Sequence, residues 1–352
     1  MAVANDAPVA QRIERLPSKQ RVGGSIPSGR ATPLHKRQRS TLETQKRAHL
    51  PSLQFYYNSW ATNRVVLELT LMFRKEWLES ERYLDFSLQS AFARELGDLA
   101  ATTASQGLGA RENLARKDCL SIALMHKARV SFEAVQLLCK FLLVGDARAI
   151  IRTMCEAIIN GAYISNATDE VADNYVDFPD YWRWIEYTEL RASAPEMPYP
   201  FEESELEHLR TRYGVIKHRF GGFKRGEWCA DNLFRRAAYL DSLVGDSSSL
   251  FRWLVNLIWR QASAYVHGAP QSIGVEGSGR DPRTLTQRTP EEAARTLHIA
   301  VSVMLVWFPC FGEYLNKGWE ERCEELMERM GSSASVGHES AHIAAKATLG
   351  DS

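Results

Sequence analysis

The stretch ARVSFEAVQLLCKFLLVGDARAIIRTMCEAIINGAYI, residues 128–164, decides the fold. Apolar residues recur through it at helical spacing, with none of the alternation that a half-buried strand would show. It reads as the heart of two helices, near 114–143 and 147–165, joined at Gly145-Asp146. A connection this short makes the two helices antiparallel neighbours, so they form the core hairpin.

The same periodicity continues outward on both sides. Further helices are expected near 55–79, 82–104, 168–177, 180–192, 202–218, 230–243, 247–267, 290–316 and 318–330. The fold class is therefore all-α, an irregular multi-helix bundle forming a single domain over residues 51–330. Thr289-Pro290-Glu291-Glu292 reads as a capping box: Thr289 accepts from an early amide, Pro290 has no amide to satisfy, and Glu292 reaches back to the cap. Pro309, deep in the helix that starts there, is expected to kink it. The longest apolar run, Leu297 to Phe311, is 15 residues. A membrane span needs about 20, so this is a core helix and no membrane is expected.

Composition places the chain among ordinary globular proteins. It has 352 residues, 45% apolar and 24% charged, with 43 basic residues against 43 acidic. That balance argues against a surface built throughout for nucleic acid or anionic lipid. Residues 1–50 depart from it, carrying ten Lys/Arg against three acids, with Pro, Gly and Ser but no apolar period. They read as a disordered basic tail, a solvated extension or a nucleic-acid tether. Residues 268–289 form a polar, glycine-rich loop, and 331–352 a flexible C-terminal segment.

The six cysteines, Cys119, Cys139, Cys155, Cys229, Cys310 and Cys323, form no C-x-x-C pair and read as buried thiols in a reducing compartment. The N-terminus lacks the apolar core of a secretory signal, so the expected location is the cytoplasm. Nine tryptophans, among them Trp182, Trp184, Trp253 and Trp259, read first as core or interface bodies and only second as a base-stacking platform.

Two constellations could carry chemistry within the bundle. Arg148, Arg152 and Glu156 follow i, i+4, i+8 spacing, which sets two cations and a carboxylate along one helix face. Arg260 and His267, seven residues apart, fall within roughly 20° of one another on a later helix, with Ser263 between them. If the two faces meet, they form a charged pocket. The bland alternative is that His267, followed by Gly268-Ala269-Pro270, is a helix C-terminus with a polar side chain near the negative dipole end.

Residues 128–164 followed by LIWRQASAYVHG (257–268) resemble the bacterial helical proteins grouped as domain of unknown function 5677. The likeness spans Phe55 to Lys317 and rests on Arg152 with Glu156 and Ser263 with His267. It implies an all-helical fold and no settled activity. Arg260-x6-His267 also resembles the Arg…His motif of the helical endoribonucleases called HEPN domains, higher eukaryote and prokaryote nucleotide-binding. That resemblance implies a metal-independent reaction on RNA. His267 would act as acid or base at a ribose 2′-hydroxyl, Arg260 would steady the phosphorane charge, and Glu156 would orient one of them. The reading needs no cofactor, takes RNA as partner and admits a homodimer.

A third constellation lies in the C-terminal segment. His338-Glu339-Ser340-Ala341-His342 reads H-E-x-x-H, two zinc ligands and a base at helical spacing. Its neighbourhood resembles the zinc-binding helix of membrane-associated ATP-dependent zinc proteases, which implies a zinc-dependent hydrolase. Ten residues follow, whereas those enzymes take a third ligand from well downstream, so an incomplete or fortuitous motif is the other reading. A non-catalytic interaction or sensing module is the remaining alternative.

Overall fold

The computed structural model describes residues 85–108, 114–197, 202–223, 226–244, 249–267, 289–316 and 318–329, all within the unit Leu50–Ser352. The expected basic tail, the helix near 55–79, the loop after His267 and the segment 331–352 lie outside the described residues. Among the described residues every regular element is helical, as the periodicity requires. In chain order they are α1 (Phe86–Leu108), α2 (Arg116–Lys140), α3 (Val144–Ser165), α4 (Asp169–Ser193), α5 (Glu203–Phe220) and α6 (Leu233–Val244). There follow α7 (Leu250–Trp253), a π-helical segment (Leu254–Trp259), α8 (Arg260–Val266), α9 (Pro290–Phe311), a 3₁₀ turn (Gly312–Tyr314) and α10 (319–329).

The α2–α3 hairpin is the core pair, and its turn lies earlier than the sequence suggests. Leu142 takes the left-handed conformation at φ 57°. Its amide bonds Cys139 O at 2.9 Å and the Leu143 amide bonds Leu138 O at 2.8 Å. This is a Schellman termination with leucine where glycine is usual. Gly145 and Asp146 instead fall in the first turn of α3. The strain at Leu142, about 1–2 kcal/mol, is offset by packing of its side chain against the core.

Helix α9 threads the centre. Pro290–Tyr314 is long and apolar enough to cross a membrane, yet 89% of its most apolar window is buried within the fold. Its apolar length serves as core: Trp307, Phe308 and Phe311 are fully buried, and Trp307 Nε1 donates to Met125 O at 3.0 Å. Thr289 Oγ1 accepts from the Glu292 amide at 3.2 Å, as expected of the cap. The Glu292 carboxylate does not return to it and pairs with Arg148 and Arg295 instead. Two cations outweigh one amide as partners. Pro309 lies in the last turn of α9, so its missing donor sits where the helix ends rather than deep within it.

The two helices expected near 168–177 and 180–192 are one: α4 runs unbroken through Pro179, from Asp169 to Ser193. One lost hydrogen bond there is outweighed by aromatic packing on either side. Phe178 and Tyr181 both lie against Phe220 of α5, at ring centroid distances of 5.7 and 4.7 Å. Arg212 and Arg219 of α5 converge on Asp177. Of the six cysteines five are buried and Cys119 is exposed. Burial pushes the Cys139 thiol up to about 12, with Arg148 acting weakly against it.

The chain destined for His267 begins with a borrowed cap. Asp241 of α6, 2% exposed, accepts from the amides of Phe251 and Arg252 at 2.9 and 3.1 Å. The helix then widens at Leu254–Trp259 before returning to α-geometry, so it is not the uniform helix expected over 247–267.

Helix α3 approaches α9 closely at Gly161, where an added Cβ would stand 2.8 Å from the Phe311 ring. Gly161→Ala should therefore lower unfolding free energy by about 1–3 kcal/mol. Gly214→Ala in α5, with nothing within 4 Å, should leave it unchanged or raise it by up to about 1 kcal/mol. Urea unfolding of the two variants reads the difference directly, and equal effects would contradict the close α3–α9 contact.

Candidate functional site

One face of α3 carries Arg148, Arg152, Glu156 and Asn160 at four-residue intervals, and each meets a different neighbour. Every nitrogen of Arg148 is engaged. Its Nε donates to Thr296 Oγ1 at 3.2 Å, Nη1 to the Tyr265 hydroxyl and Nη2 to the Glu292 carboxylate. The guanidinium also lies 5.2 Å from the centroid of the Tyr265 ring. With each of its three nitrogens engaged, this arginine ties α3 to α8 and α9.

One turn on, Arg152 is placed differently. Its Nε donates to Glu156 Oε1 at 3.2 Å, and its guanidinium lies 4.9 Å from the Trp259 ring centroid. Trp259 Nε1 donates to the same Glu156 oxygen at 2.7 Å. Carboxylate and indole thus fix the guanidinium plane, leaving Nη1 3.3 Å from His267 Nε2. Because guanidinium only donates, that contact is a hydrogen bond when His267 carries its proton on Nδ1. His267 caps α8, its amide bonded to Ser263 O at 3.1 Å, and it is exposed. Ser263 Oγ donates to Trp259 O at 2.7 Å, holding the last turns of this helix to the π-helical segment.

Arg152, Glu156 and His267 therefore come together as the spacing suggests, with Trp259 as a fourth member that the sequence reading treated as core. Arg260 is placed elsewhere. Its guanidinium lies 5.3 Å from the ring centroid of Phe234 in α6, and Phe234 in turn meets the edge of Trp259. Sharing a helix face with His267 leaves the two about 10 Å apart along the axis, so the cation at His267 comes from the facing helix instead.

Beyond Glu156 the stripe becomes structural. Asn160 accepts from Arg236 of α6, whose Nη2 donates to Glu227 at 2.8 Å and whose guanidinium lies over Trp228. Arg236 is 3% exposed. Tyr163 donates to Asp231 at 3.0 Å. These bonds fasten residues 226–232 onto α3. Tyr175 of α4 borders the same region: burial raises its hydroxyl above the ordinary phenol range, Arg236 opposes that shift and Glu156 adds to it.

Among the described residues no three His, Cys, Asp or Glu side chains gather as a metal site. His338, Glu339 and His342 lie outside the described residues. A family model described as a family of unknown function, DUF5677, matches residues 118–280. No curated protein and no solved structure matches the chain.

The contrast between the two arginines has a measurable consequence. Arg148→Met should lower stability by about 2–3 kcal/mol, because it releases three partners at a half-buried junction. Arg152→Met, with Glu156 still held by Trp259 and partly solvated, should cost under about 1 kcal/mol. Chemical denaturation of both variants tests this ordering, and the reverse order would make Arg152 the structural tie.

Proposed function

We propose that the chain, whose residues 118–280 match a family of unknown function, is a HEPN-like, metal-independent endoribonuclease centred on Arg152, Glu156 and His267. The observation that carries this reading is an exposed histidine 3.3 Å from a guanidinium that a carboxylate and an indole hold in place. In this reading the incoming phosphate draws Arg152 Nη1 off His267, and the freed Nε2 removes the proton of a ribose 2′-hydroxyl. The 2′-oxygen bonds to phosphorus, the bond from phosphorus to the 5′-oxygen breaks, and the departing oxygen takes up a proton. A 2′,3′-cyclic phosphate and a 5′-hydroxyl result. Arg152 takes the role that sequence assigns to Arg260, donating to a non-bridging oxygen as charge builds there. Glu156 positions Arg152 and does not touch the substrate. The proposed setting is the cytoplasm.

A second reading has its own observation. Glu156 already neutralises Arg152, which suits a non-catalytic module in which the cluster only organises the end of α8.

Cleavage of a synthetic RNA by the full chain in excess chelator separates these readings. The nuclease reading expects cyclic-phosphate ends. It expects a loss of about 100-fold or more in His267→Ala and a loss of at least tenfold in Arg152→Ala, with Arg260→Ala nearer to wild type. Cleavage that is absent, or unchanged in His267→Ala, contradicts it. Cleavage abolished by chelator and by removal of residues 331–352 would point to the zinc motif at His338 and His342.

A further inference from the structure

Helix α2 buries one face and, among the described residues, leaves the opposite one unpartnered. Phe132, Val135 and Cys139 are fully buried, whereas Val130, Leu137 and Phe141 are 52, 57 and 63% exposed. With the half-buried Ala134 they follow a 4-3-4 spacing, a seam about 16 Å long down one face of α2 to its C-cap residue Phe141. Isolated exposed apolar residues are ordinary, but an aligned row at coiled-coil spacing is the form of a helix-pairing surface.

We infer that this face of α2 pairs antiparallel with α2 of a second copy of the chain. A two-fold interface must be complementary to itself. Turned end for end, the seam sets Val130 opposite Phe141 and Ala134 opposite Leu137, a small residue facing a large one at each step. The flanking charges choose the same direction. Glu133 and Lys140 lie seven residues apart on one side of the seam, both exposed. Antiparallel pairing brings Glu133 of each copy to Lys140 of the other, twice by symmetry. Parallel pairing would instead put this flank of the two copies on opposite sides of the seam, so that Glu133 and Lys140 would not meet. Glu133 also accepts from Arg129 one turn earlier, and half of its side chain is still open to solvent.

Sedimentation of the full chain from about 1 to 100 µM tests the pairing. The wild type should dimerise within that range, and Leu137→Glu and Phe141→Glu should each weaken the dimer by at least tenfold. Both positions are exposed, so unchanged thermal unfolding of a diluted sample confirms that each variant folds. Glu133→Lys and Lys140→Glu should each weaken the dimer, and the two combined should restore it. A wild type monomeric throughout, or a dimer indifferent to Leu137→Glu and Phe141→Glu, overturns the surface. Single charge reversals without effect overturn the antiparallel direction.

Discussion

Arg148 gathers three helices with one guanidinium: it starts on α3, reaches Tyr265 of α8 and meets Glu292 and Thr296 of α9. The arrangement of the site depends on this junction. Helix α8 follows a widened π turn and ends at His267, so nothing within the helix itself fixes where that residue comes to rest. The Tyr265 contact fixes it two residues before the end, and His267 then falls beside the next arginine along α3. A cation tied to three helices thus positions a second one beside His267.

The division of labour along α3 follows from burial. Toward Asn160 the polar stripe is enclosed by α6 and residues 226–232, and Arg236 is almost wholly buried among Asn160, Glu227 and Trp228. A charge so placed has to be paired, and the network around it is part of the scaffold. In the middle of the stripe Glu156 and His267 reach solvent. There a histidine, a cation and a carboxylate meet where a ligand could reach them. π-helical segments recur near functional positions because one wide turn re-aims the side chains that follow, and Trp259 at the end of this segment contacts both Glu156 and Arg152.

Much of this was legible in the amino-acid order, and the failures have physical causes. The core hairpin follows from apolar periodicity alone, but its turn does not. Leu142 adopts a conformation that glycine normally takes, while Gly145, the conventional signal, lies within α3. Two helices are expected, one on either side of Pro179, and Pro309 reads as a kink, because a missing donor is a local fact. Whether a helix survives it depends on packing that lies far away in sequence. Arg152 and Glu156 were visible as an i, i+4 pair, and His267 through its family likeness. The partner of His267 was not visible, since same-face spacing within a helix says nothing about which residue the facing helix presents. Trp259 was hidden for a related reason: a wide turn in the middle of a helix changes which face each residue occupies.

The most direct measurement of the central claim is binding at His267 itself. In histidine-labelled protein the neutral ring of His267 should carry its proton on Nδ1, consistent with Nε2 accepting from Arg152. Titration with a 2′-deoxy dinucleotide, which presents a phosphodiester but cannot be cleaved through the 2′-oxygen, should shift the His267 resonances saturably, and Arg152→Met should remove the shift. A His267 signal that ignores the dinucleotide, or that responds equally without Arg152, would contradict a phosphodiester site at this cluster.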